Sequence, residues 1–224
     1  HVQDQYFEFL QFLGIDPGPV EWRIPITTSE RAEQAKFFAE LGGPAVAVVV
    51  GTSRPLKNWP AERYARALER IHEKHGLIPV IVGGPSAAER EMADAIKAAT
   101  RIRVVDTLGD NIRRVVWILE GSRLVLSPDT GPLHVANALG KPIVGLYGYT
   151  NPLRYGPYGH ADSVVDGYAR TPSEIYAPSM EYREEGMGRV TVDAVVAAAD
   201  RALASDGLRE PLNSPEWPPN GSSG

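Results

Sequence analysis

Short, almost wholly apolar runs alternating with segments of helical periodicity leave this chain few folds to choose from. The runs are Ala45 to Val50, Ile78 to Val82, Ile102 to Val105, Leu124 to Leu126 and Ile143 to Leu146. Between them lie Ala61 to His75, Ala87 to Ala99, Ile112 to Glu120 and Leu133 to Leu139, which read as helices. A strand that is apolar on both faces must be covered on both, and alternation with helices supplies that cover through right-handed crossovers. The expected fold class is therefore α/β, a doubly wound parallel sheet of Rossmann-like type.

The pattern changes on either side of this frame. The chain opens at His1 into Tyr6, Phe7, Phe9, Leu10 and Leu13, an apolar stripe at helical spacing, and Gly14 to Pro25 is a Pro/Gly-rich connector. Residues 1–25 are expected to be an inter-domain helix and linker, met in mid-protein. The domain proper is expected over 26–206, beginning with a helix that Ser29 caps and that runs to Leu41. From Gly148 to Gly188 no period is visible apart from an edge strand at Ser163 to Val165, so Tyr168 to Gly188 is expected to be a plain surface loop, the alternative being a mobile flap over a ligand cleft. A last helix is expected over Val192 to Leu203, and 207–224, rich in Pro, Ser, Asn and Gly, is expected to be disordered.

Composition removes several functions. At 224 residues the chain suits one well-packed domain and is cramped for two. Its formal charge of −5, without a Lys/Arg cluster interleaved with aromatics, gives no footprint for nucleic acid. Cysteine is absent, which removes disulfides, thiolate-bound zinc and a catalytic thiol, and fits a reducing cytoplasm. No apolar run approaches the roughly 20 residues of a membrane span, so the chain is expected to be cytoplasmic, at most peripheral to the inner face of the membrane.

Ligands of an open parallel sheet bind beyond the carboxyl ends of its strands, and here the loops on that side differ from the rest. Loops leaving the strands hold Gly51 to Lys57, Gly83 to Ser86, Asp106 to Asp110, Ser127 to Gly131 and Tyr147 to Thr150. Loops entering them, such as His75-Gly76 and Gly140-Lys141, are ordinary helix stops. The strongest local signal is Ser127-Pro128-Asp129-Thr130-Gly131-Pro132-Leu133-His134, between a strand and a helix. Gly131 admits close approach of a ligand to backbone, and the helix amides and dipole favour an anion such as a diphosphate, with Thr130 and His134 as side-chain donors. The same residues also suit a plain cap by Asp129 or Thr130, with His134 half-buried and satisfied. A carboxylate beside a diphosphate is repulsive, so Asp129 is expected to face sugar hydroxyls or the helix end. Thr52, Ser53 and Lys57 would add hydroxyls and a point charge on the same rim, although a lysine in this setting is commonly just solvated. No D-x-D pair offers a metal to neutralise a departing diphosphate, which leaves that task to side-chain cations and helix dipoles, with no cofactor. Gly51 to Pro55 lacks the second glycine of a nucleophile elbow, and neither a Walker A nor a G-x-G-x-x-G sequence follows a strand. His72 and His75 share a helix face without a visible carboxylate partner.

At Gly51 to Tyr64, Gly83 to Arg90, Leu124 to Gly148 and Thr150 to Gly159, four segments in order over most of 45–160, the chain resembles the ADP-heptose:lipopolysaccharide heptosyltransferases, glycosyltransferase family nine, of GT-B architecture. The resemblance implies that Thr52, Ser53 and Lys57 contact the donor's phosphates, Glu89 the ribose, and the loop near Asp110 the adenine through backbone. It implies that Asp129, Thr130, Gly131 and His134 hold the sugar and diphosphate of a nucleotide-sugar donor, an ADP-sugar. The reaction implied is inverting transfer to a lipopolysaccharide core acceptor without an obligatory metal. In the family the base is an aspartate of an N-terminal domain with no counterpart in this chain, so the chain is expected to be the C-terminal, donor-binding half. The alternatives are a complete, non-catalytic nucleotide-sugar-binding module and a GT-B-type sugar-nucleotide epimerase.

Overall fold

A computed structural model describes residues 1–109 and 111–205. Among these, β1 (Ala45–Val49), β2 (Ile78–Val82), β3 (Val105–Asp106), β4 (Leu124–Pro128), β5 (Ile143–Tyr147) and β6 (Val164–Asp166) form one parallel sheet in the order β3-β2-β1-β4-β5-β6. The period of two in β1 divides its side chains between two cores. Val46 and Val48 pack with Leu68 and Ile71 of α3 (Ala61–His75), Ile96 of α4 (Ala87–Ala99) and Val195 of α9 (Val192–Ala204). Ala45, Ala47 and Val49 pack on the other face with Leu41 of α2 (Thr28–Leu41), Ile118 of α5 (Ile112–Gly121) and Leu133 of α6 (Gly131–Ala138). This is the doubly wound sheet that the alternation predicts. No described helix is long and apolar enough to cross a membrane.

Several boundaries move for identifiable reasons. The cap of α2 is Thr27, not Ser29: its hydroxyl accepts from the Glu30 amide at 3.3 Å while the Glu30 carboxylate accepts from the Thr27 amide at 2.8 Å. Arg113 of α5 then grips Glu30 through Nε (2.6 Å) and Nη2 (2.7 Å), and this pairing outweighs partial burial to hold the Glu30 carboxyl at about 2. The edge strand β3 pairs only at Val105 and Asp106, with Val80 and Ile81 of β2, rather than from Ile102; Ile102 and Val104 instead pack against the core. α6 begins at Gly131, two residues before the expected start, with Pro132 in its first turn.

The segment Tyr168 to Gly188 is not a plain surface loop. Tyr168 is fully buried, and the guanidinium of the buried Arg183 lies 4.1 Å from its ring centre, donates to the Tyr168 carbonyl at 2.7 Å and pairs with Glu174 at 2.9 Å. At its end, α8 (Gly186–Arg189), which follows the short α7 (Pro152–Tyr155) in the chain, lies against the loop after β5, where a Cβ on either Gly148 or Gly186 would overlap the other's backbone.

The opening helix, α1 (Val2–Phe12), is present as expected, yet Tyr6, Phe9, Phe12 and Leu13 remain exposed. It touches the domain through one side: Phe7 meets the ring of Tyr158 edge-on at 6.3 Å and Asp4 accepts from the Tyr158 hydroxyl at 2.7 Å. The expectation for 207–224 falls outside the described residues.

Candidate functional site

β1 and β4 lie side by side in the sheet although β2 and β3 separate them in sequence. The chain leaving β1 turns to α3 on one face and the chain leaving β4 turns to α6 on the other, so the two loops part and leave a crevice. A cleft of about 520 Å³ fills it, lined by Thr52, Ser53, Lys57, Asn58, Ser86, Glu89, Asp129, Thr130, Gly131, His134 and Tyr155. Every candidate donor-site residue of the sequence lines this cleft except Asp110, which lies outside the described residues.

A smaller cavity of about 230 Å³ adjoins it, walled by Val49, Gly84, Pro85, Gly109, Ile112, Val115 and Pro132. The two share Gly51 and Glu89. Ser86 caps α4 and receives the Glu89 amide at 3.3 Å, while the Glu89 carboxylate accepts from the Gly84 amide at 2.8 Å and the Ser86 hydroxyl at 2.6 Å. That posture lays the carboxylate across Gly51 and Gly83, where a Cβ would overlap it; glycine at both positions is what lets Glu89 stand between the cavities.

Asp129 is the electrostatic centre of the cleft, and it caps nothing. Its Oδ2 accepts from Lys57 Nζ and from the Thr150 hydroxyl, each at 2.7 Å, and His134 Nε2 stands 3.6 Å from Oδ1. Burial opposes ionisation of this carboxyl, but the nearby His134 and hydrogen bonds from Lys57 and Thr150 outweigh it and hold the group below its ordinary value. Burial first, and then the Asp129 charge, push the Tyr147 hydroxyl well above the usual tyrosine range; that hydroxyl donates to the Tyr155 carbonyl at 2.9 Å. Thr130 occupies the N-cap position of α6, but its hydroxyl turns back to Ser127 Oγ (3.1 Å) and the Pro128 carbonyl (3.3 Å). The amide end of α6 is thus left without a side-chain cap where Gly131 lines the cleft.

Two features go beyond the sequence reading. Thr52 reaches the cleft with its hydroxyl engaged in its own loop, 2.6 Å from both the Arg54 carbonyl and Asn58 Oδ1. Thr150, Tyr147 and Tyr155 join the site although no role was read for them; Thr150 sits on the loop after β5, whose side chains reach Asp129 only because β5 pairs with β4. His75 does have a carboxylate partner, contrary to expectation: its Nε2 lies 2.7 Å from Asp200 Oδ1 of α9, at the opposite end of the sheet. Among the described residues no three His, Asp or Glu side chains gather in a way that could hold a metal ion.

The sequence profile of glycosyltransferase family 9 (heptosyltransferase) matches residues 1–178. Lipopolysaccharide core heptosyltransferase OpsX of Haemophilus influenzae is 29% identical over 183 residues, 81% of this chain and 52% of that protein. Lipopolysaccharide heptosyltransferase 1 of Pseudomonas aeruginosa is 33% identical over 124 residues, 55% of this chain and 34% of that protein. A solved family 9 glycosyl transferase from Veillonella parvula superposes with a TM-score of 0.75 at 24% identity, over 92% of this chain and 60% of its own. E. coli ADP-heptose lps heptosyltransferase II gives 0.69 at 22% identity, over 85% and 56% respectively. At these identities the structures speak to the fold. The chain spans about half the length of the curated relatives it matches.

Proposed function

The chain belongs to glycosyltransferase family 9, and from that premise we propose that its crevice holds the nucleotide diphosphate of a sugar donor, an ADP-heptose, as the donor half of an inverting, metal-independent transferase. The observation that carries this reading is the pair of cavities meeting at Gly51 and Glu89, a smaller, mostly apolar space beside a more polar cleft. Adenine fits between Ile112, Val115 and Pro132, with the backbone at Gly109 at its edge. Glu89, at the junction, accepts from the ribose hydroxyls. The diphosphate then lies against the uncapped end of α6, with Ser53, the Thr52 loop and Lys57 around it.

Transfer with inversion requires an acceptor hydroxyl to attack the anomeric carbon as the bond to the diphosphate oxygen breaks. The leaving ADP departs with that electron pair, and the charge it gains is stabilised by Lys57 and the α6 amides. Lys57 is held by Asp129 until the diphosphate arrives, so the donor and Asp129 share one cation, and Asp129 is left to accept from sugar hydroxyls. The acceptor is a lipopolysaccharide core sugar, whose hydroxyl proton passes to a base outside the donor crevice. A stand-alone binding module and an epimerase would use the same donor crevice.

Calorimetric titration of the chain with ADP, AMP and adenosine tests the assignment. ADP is expected to bind about tenfold or more tighter than AMP, because the second phosphate reaches Lys57 and the helix end. Equal affinities for ADP and AMP, or no binding of either, would remove the diphosphate from α6 and the reading with it.

A further inference from the structure

The loop Gly51 to Lys57 is fixed at its two ends and open in the middle. It leaves the sheet just after β1, and beyond Lys57 the buried Trp59 donates to the Val190 carbonyl at 3.0 Å. Ser53, Arg54, Pro55 and Leu56 are exposed. Lys57 and Arg54 tie this stretch to other elements, and a ligand acts on the two ties differently. Lys57 reaches Asp129 at 2.7 Å inside the cleft, a contact for which a diphosphate competes. Arg54 does not line the cleft. Its guanidinium lies 5.5 Å from the centre of the Tyr182 ring, and Nη1 donates to the Tyr149 hydroxyl at 3.4 Å.

The two tyrosines come from separate stretches of chain. Tyr149 is buried and precedes Thr150, whose hydroxyl donates to Asp129. Tyr182 belongs to the segment Tyr168 to Gly188, and its ring stacks on that of Tyr149 with centres 4.9 Å apart and planes 13° from parallel. The backbone on both sides of the stack is held: the Arg183 amide donates to the Tyr149 carbonyl at 2.9 Å, and Gly148 and Gly186 lie backbone to backbone. Tyr182 itself keeps 45% of its surface, so its ring is not there to fill the core. What the ring does is offer one face system to a neighbouring aromatic and to a cation, and both contacts are attractive.

We infer that Tyr182 is a positioning residue for the donor: stacked on Tyr149 and met by Arg54, it clamps the loop Gly51 to Lys57 to the loop after β5, so that Thr52, Ser53 and Lys57 keep their places when the diphosphate draws Lys57 from Asp129. The inference rests on the donor-binding reading above and gives the segment Tyr168 to Gly188 a part in it. Both contacts are made by the ring, so phenylalanine preserves them and alanine removes them.

Amide hydrogen exchange and calorimetry on Tyr182→Ala and Tyr182→Phe test it. The amides of Lys57 and Asn58 donate to the Arg54 and Pro55 carbonyls, each at 2.9 Å, so their exchange reports opening of the loop without any ligand. Tyr182→Ala is expected to speed that exchange several-fold, to leave the amides of β2 at the wild-type rate, and to weaken ADP about fivefold. Tyr182→Phe is expected to exchange like the wild type and to bind ADP within about twofold of it. Unchanged exchange at Lys57 and Asn58 in Tyr182→Ala overturns the clamp, as does a Tyr182→Phe variant that behaves like Tyr182→Ala, or faster exchange in β2 as well, which marks a general loosening of the domain. Faster exchange of the loop with ADP affinity unchanged overturns the positioning role. A wild-type chain that binds no ADP sinks the donor reading instead, and exchange alone then decides the clamp.

Discussion

Two clusters of the same three residue types stand at opposite ends of one sheet. At the carboxyl end Lys57 lies 2.7 Å from Asp129, with His134 beside it; at the amino end Lys74 lies 2.6 Å from Asp200, with His75 beside it. The distances are alike and the surroundings are not. Lys57 and Asp129 keep 16% and 11% of their side-chain surface, whereas Lys74 and Asp200 keep 56% and 31%. The first cluster draws on three loops around the uncapped amide end of α6, where an anion is favoured; the second joins the last turn of α3 to α9, where the helix dipole favours the cations already present. A lysine, an aspartate and a histidine do not make a site. What distinguishes the first set is restricted water and backbone amides that await a partner.

Removing the aspartate at each end is the sharpest way to break this contrast. Asp129→Ala leaves Lys57 and the Thr150 hydroxyl with little water to replace the carboxylate, and is expected to cost about 2–3 kcal/mol of unfolding free energy, below the range for fully buried pairs because some exposure remains. Asp200→Ala is expected to cost about 1 kcal/mol or less. Urea denaturation reads both, and equal losses would erase the distinction. Next in size is the effect on ligand: Lys57→Ala is expected to weaken ADP about ten- to hundredfold, the worth of a charged hydrogen bond, while Lys74→Ala leaves it unchanged. Calorimetry giving the same ADP affinity for wild type and Lys57→Ala takes Lys57 out of the site.

The two ends were also unequally legible in the sequence. α3, β2 and α4 fall where the periodicity puts them, because their ends carry local signals: Gly76 in the left-handed conformation after His75, and the Ser86 cap before Ala87. The crevice was legible for a similar reason, since glycine and hydroxyl residues on loops that leave strands all fall on one rim. Pairings across long stretches of chain were not. Asp129 lies 72 residues from Lys57 and His75 lies 125 from Asp200, and neither separation leaves a trace in spacing. Tyr168 to Gly188 looked structureless because its order comes from the single buried Arg183 reaching the ring and carbonyl of Tyr168, and no period records that. In β3 the apolar character of Ile102 and Val104 goes into packing against the core rather than into strand pairing, and the two look alike in sequence.

The smallest expected effect separates the two clusters by the way each resists acid. Asp129 is held below its ordinary value although burial opposes this, through the nearby His134 and hydrogen bonds from Lys57 and Thr150; Asp200 is lowered chiefly by its hydrogen bond from Lys74, with burial opposing. A carboxyl that is harder to protonate when folded contributes stability that is fully present above the unfolded value of about 3.9 and is lost as pH falls through the folded one. Both clusters therefore contribute to stability at pH 5 and lose that contribution toward pH 3 and below. Salt tells them apart: near 1 M the screening length is about 3 Å, so the more exposed Lys74 and Asp200 interact mostly through screened solvent, while Lys57 and Asp129 are shielded by protein. In 1 M sodium chloride, Asp200→Asn is expected to unfold with the wild-type dependence on pH between 5 and 3, and Asp129→Asn to stay measurably flatter. If salt removes both differences to the same degree, the carboxyl-end pair is as open to solvent as the other, and its restricted water, on which the stability and ligand predictions both depend, is not there.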